Sequence, residues 1–70
     1  MATKSLEAIA DELEQQFVDR HNLSTVLDAL IIVCENKAEH LLTNWQDRSA
    51  AKSWEHDAKQ IGRIIGSIEN

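Results

Sequence analysis

The sequence predicts an all-α fold of three helices, the second and third paired as an antiparallel αα-hairpin and the first a separate amphipathic helix. Three observations lead there. Proline is absent and both glycines, Gly62 and Gly66, stand late in the sequence, so the tight turns of a β-sheet lack the residues that normally build them. Apolar residues recur at spacings of three and four along most of the chain, the rhythm of one helix face. Two of the resulting stripes also match each other position by position once the chain is folded back near Gln46–Asp47.

The first segment, Ser5 to Asp19, carries Leu6, Ile9, Ala10, Leu13 and Phe17 on one face. Ser5 suits the N-cap, and Glu7 places a carboxylate in the first turn, where the helix dipole favours it. The pattern breaks over Arg20–Ser24. Either Asn22 or Ser24 can cap the second helix, and Thr25 with Asp28 stands at capping-box spacing with Asp in place of Glu.

The second segment, Ser24 to Trp45, has Leu27, Leu30, Ile31, Cys34, Ala38, Leu41 and Trp45 in one stripe. The third, Arg48 to Ile68, has Ala51, Trp54, Ala58, Ile61, Ile65 and Ile68, the alternation typical of closely packed helices. In an antiparallel register Leu41 opposes Trp54, Ala38 opposes Ala58, Cys34 opposes Ile61, Leu30 opposes Ile65 and Leu27 opposes Ile68. Small meets small at the alanines and larger residues fill the rest, as close packing requires. Asp47 or Ser49 caps the third helix. At about 1.5 Å per residue both helices come to about 30 Å, so their lengths agree.

Seventy residues form one domain, 1–70, whose core is small for its surface. Cys34 is the only cysteine, so no disulfide closes within the chain, and one cysteine with three unpaired histidines makes no zinc-finger pattern. A lone thiol in an apolar run fits a reducing cytoplasm. The start of the chain lacks the apolar stretch of a signal peptide, being interrupted by Glu7, Asp11, Glu12 and Glu14. The longest apolar run, Ala29–Cys34, is far short of a membrane span. A formal charge of −5 speaks against general nucleic-acid binding.

Residues 37–56 hold both tryptophans, two histidines and the expected reversal. Trp45 and Trp54 are expected to plug the closed end of the hairpin; the alternative is a recognition surface. His40 and His56 fall close together in the register, with Glu39 and Glu55 beside them in sequence, and such a set could ligate a metal. Neither His-Glu-x-x-His nor Glu-x-x-His is present, so the expectation is solvated histidines, with no metal and no cofactor. Arg48, Lys52, His56, Lys59 and Arg63 form a basic stripe on the third helix. It reads either as a track for phosphate or an acidic partner, or as a face paired with the acidic flank of the first helix. Cys34 lies inside the core stripe, closed to reagents, and no phosphate loop or paired carboxylates suggest catalysis. The expectation is that the protein is not an enzyme.

One feature exceeds what three helices can cover. From Val26 to Cys34 every residue but Asp28 is apolar, so the second helix is apolar nearly all round, as a helix buried on all sides would be. Ile32 shares a face with Asp28, Glu35 and Glu39, and Ile64 stands outside the stripe of the third helix. A homodimer through Ile32, with Val26, Val33 and Ile64 around it, is expected to cover this surface.

Five short stretches carry a resemblance: Asp19–His21, Val26–Leu30, Lys37–His40 (Lys-Ala-Glu-His), Asn44–Asp47 (Asn-Trp-Gln-Asp) and Ala51–Glu55 (Ala-Lys-x-Trp-Glu). The chain resembles, over about two-thirds of its length, a set of short bacterial helical proteins of unassigned function that share this pattern. The resemblance implies a bacterial cytoplasmic setting and brings no activity, ligand or partner. The functional expectation is therefore a small helical interaction module that self-associates and binds another protein. The alternatives are a metal-binding bundle using His40, His56, Glu39 and Glu55, and an acidic nucleic-acid mimic that occupies a basic groove.

Overall fold

The computed structural model describes residues 5–70; residues 1–4 of the expected domain lie outside the described residues. The described chain is helical, without strands. Helix α1 spans Leu6–Leu13 and runs on into a π-helical turn, Glu14–Val18; α2 spans Leu23–Asn44 and α3 spans Arg48–Ile65. Helices α2 and α3 pack closely as a hairpin.

Each helix begins where a short polar side chain can satisfy a free backbone N–H. Ser5 Oγ accepts from the N–H of Ala8 at 3.2 Å. Of the three caps open for α2, the structure uses Asn22, whose Oδ1 accepts from Thr25 N–H at 2.8 Å. Ser24 instead ties the two ends of the hairpin together: its N–H and its hydroxyl both donate to the main-chain oxygen of Asn70, at 2.6 and 2.8 Å. Asp47 caps α3, with Oδ1 accepting from Ala50 N–H at 3.0 Å.

The reversal starts at Trp45, the C-cap of α2, and turns at Gln46, whose φ of 51° is the positive value found outside glycine among the described residues. The carbonyl of Leu41 accepts from the N–H groups of both Trp45 and Asp47, closing the end of α2 before Asp47 opens α3. Helix α3 ends at Ile65, three residues before the expected Ile68. Gly66 is a poor helix former, and the hydroxyl and N–H of Ser67 both bond to the Ile64 carbonyl, so the last turn tightens instead of continuing.

The buried residues are small: Cys34 and Ala38 on α2, Ala51 and Ala58 on α3. Three of them stand at positions that the antiparallel register assigns to the seam, and small side chains there let the two backbones approach. Leu27, Ile31, Leu41, Ile61, Ile65 and Ile68 are half-buried around them.

Two expectations fail. Trp45 does not plug the closed end. Trp45 is 70% exposed, and it is Ala51, at 1%, that is buried there. The reason is local: Trp45 has already left the helical path of α2, so its side chain no longer follows the stripe that leads to it. The first helix also does not lie beside the third. No Cα of Leu6–Leu13 comes within 8 Å of one in α2 or α3, and the backbone of the arm approaches α2 that closely only at the π turn. The acidic flank of α1 therefore does not pair with the basic stripe of α3.

The result is flat. The chain measures 37 × 37 × 15 Å, about the thickness of one layer of helices. Its radius of gyration is 14.1 Å, where a compact domain of this length has about 11 Å.

Candidate interaction surface

An arm set at an angle to a hairpin leaves a concave corner, and the sequence makes this corner apolar. Leu13 and Phe17 from the arm and Val26, Ala29, Leu30 and Val33 of α2 line a groove of about 290 Å³, together with His21 and Thr25. No acidic or basic group other than His21 lines it. Leu6 and Ile9 continue the apolar stripe along the arm, beyond the reach of the hairpin, and Leu6 is 82% exposed.

The depressions on the two faces of the layer differ in the charges that line them. On one face Ile31, Glu35, Glu55, Ala58, Lys59 and Gly62 line a shallow depression. Val33 lies two residues from both Ile31 and Glu35, and Ile64 two residues from Gly62; at 3.6 residues per turn each is about 200° further round its helix. Val33 and Ile64 thus share the opposite face, the groove face. Val33, Ile64 and Leu30 are all exposed there.

Of the expected interface residues, Val26 and Val33 line the groove and Ile64 shares its face by helical spacing, but Ile32 does not. Ile32 is 56% exposed and lies outside the groove. It sits on the side of α2 that carries Asp28, Glu35 and Glu39, as its spacing from them requires. Trp54 is 36% exposed on α3, and Trp45 projects from the turn. The apolar groove residues missed from the sequence were Leu13, Phe17, Ala29 and Leu30, the last of which the register had given to the seam opposite Ile65. The signal for those on α2 was visible: Val26, Ala29, Leu30 and Val33 are a second apolar stripe at helical spacing.

The histidines and acids do not converge. No group of three His, Cys, Asp or Glu able to hold a metal exists among the described residues. Asn44 Nδ2 lies 2.8 Å from His40 Nδ1, so in the Nε2–H tautomer His40 accepts from its i+4 neighbour along α2. His40 lines a depression with Val33, Asn36 and Lys37, whereas Glu55 lines the depression on the far face. His56 and Glu39 are exposed. The basic stripe of Arg48, Lys52, His56, Lys59 and Arg63 is likewise exposed. Cys34 is a buried free thiol, in the seam where the stripe placed it.

No described helix is long and apolar enough to cross a membrane. The chain matches no known protein family, no curated protein and no solved structure.

Proposed function

We propose that the protein is a small helical interaction module of the bacterial cytoplasm, working by self-association and by binding a partner protein, without catalysis. One observation carries the reading. The accessible surface is 5840 Å² for a 7.9 kDa chain, where a folded monomer of that mass exposes about 4,400 Å². Residues 1–4, counted at the full exposure of an unfolded chain, supply at most about 600 Å² of the difference. About 800 Å² remains, the area each partner contributes to a standard protein interface. The surplus is apolar in character: Ile9, Leu13, Phe17, Leu30, Val33 and Ile64 are all exposed. Contiguous exposed apolar surface marks interaction sites in soluble proteins.

Sedimentation equilibrium across the micromolar range tests self-association. The expected mass is twice the 7.9 kDa of the chain, with a melting temperature that falls on dilution. A single 7.9 kDa species at every concentration, with melting indifferent to dilution, refutes it. Capture from the native host, run in parallel with a Val33→Asp chain, tests the partner. The expected result is a protein retained by the wild type and lost by the variant; identical recoveries refute a role for this face.

A further inference from the structure

Resting on that reading of self-association, we infer that the occupant of the groove is a second copy of this chain, stacked face to face. The arm of each copy, Leu6–Leu13, lies over Val26–Val33 of the other. Three observations converge on this geometry.

The first is the layer. Stable domains pack two layers of secondary structure around a shared core, and a chain 15 Å thick supplies one. A second copy supplies the other without any new element.

The second is self-complementarity. The chain carries both halves of a match: an apolar groove of about 290 Å³, and an apolar helix with Leu6 and Ile9 exposed, whose Cα atoms come within 8 Å of neither hairpin helix. A two-fold axis satisfies both at once, because each copy gives an arm and receives one. An unrelated partner would have to present a groove and a ridge at the same spacing.

The third is charge. Two chains of −5 repel unless their contact avoids the acids. Glu35 and Glu55 line the far face, and Asp28 and Glu39 stand on the same side of α2 as Glu35 by helical spacing. No carboxylate lines the groove, so stacking through it leaves those acids outside, in water.

The experiment compares the wild type with a Leu6→Glu/Ile9→Glu double variant and with Ile32→Glu, by sedimentation equilibrium. The substituted positions are exposed in the single chain, so far-UV circular dichroism should show unchanged helix content in all three. The expected result is a dimer for the wild type, a dissociation constant raised at least about a hundredfold by the arm variant, and little change for Ile32→Glu. A second readout leaves the arm intact apart from one residue. In a Cys34→Ala background, chains carrying Ile9→Cys are mixed with chains carrying Val33→Cys and treated with a short bismaleimide. The mixed product should exceed both self-linked products. A wild type that is monomeric throughout overturns the self-association reading and this inference with it. A wild-type dimer that survives the arm variant but dissociates with Ile32→Glu, or a mixed product in no more than statistical yield, overturns this inference alone.

Discussion

The hairpin turns on a glutamine in a conformation that suits glycine, and replacing it gives a measurable test of the turn. Gln46 has φ of 51°, where the Cβ of an L-residue crowds its own carbonyl at a cost of about 1–2 kcal/mol. Gln46→Gly removes that crowding. Against this, glycine gains freedom in the unfolded chain, which returns about 0.5–1 kcal/mol. The Gln46 side chain is exposed, so little packing is lost. The net expectation is stabilisation of about 0.5–1 kcal/mol, equivalent to a rise in melting temperature of about 2–8 °C for a domain of this size. Gln46→Val is the control: a β-branched side chain tolerates positive φ badly, and it should destabilise by at least about 1 kcal/mol. Both are read by urea and thermal unfolding followed by far-UV circular dichroism, at one fixed chain concentration so that self-association contributes equally. If glycine and valine lower stability alike, the turn does not hold the left-handed geometry, and the reversal that ejects Trp45 is wrong.

The helix ends and the seam are open to similar tests. Gly62→Ala should stabilise α3 by about 0.5–1 kcal/mol, because an added Cβ meets only Ile31 Cδ1 at an ordinary 3.9 Å; a loss of stability in urea unfolding would mean the helices lie closer than this. Asp47→Ala should cost about 1 kcal/mol by removing the cap on Ala50 N–H, with Asp47→Asn recovering most of it. Ala51→Leu should cost about 1–3 kcal/mol by overpacking, since Ala51 is 1% exposed, whereas Lys52→Leu beside it should cost little; equal effects would show that the closed end is loosely packed. Cys34 should react with a thiol reagent far more slowly in the native protein than in urea, because it is buried in the seam; equal rates would remove it from the core.

The helices and the hairpin were legible in the sequence because their determinants are local and periodic. Stripes at three and four, polar residues at the caps and the lack of proline and of early glycine act within a few residues, and one register aligns Ala38 with Ala58 and Cys34 with Ile61 without reference to anything distant. The excess of apolar residues on α2 was legible for the same reason. What only the tertiary structure decided is where each excess faces. A stripe on α1 shows that the helix has an apolar side; it does not show what covers it, since that depends on the angle at which the π turn and Asp19–Asn22 send the arm. That angle carries Leu6 and Ile9 away from the hairpin and separates the acidic flank of α1 from the basic stripe of α3. It also moves the centre of the apolar surface from Ile32 to the corner between Phe17 and Val33. Trp45 obeys the same rule on a smaller scale: its spacing places it on the seam, but as the C-cap of α2 it leaves the helical path and stands in solvent. Periodicity determines which residues share a face of a helix, while a few dihedral angles between helices determine what that face meets.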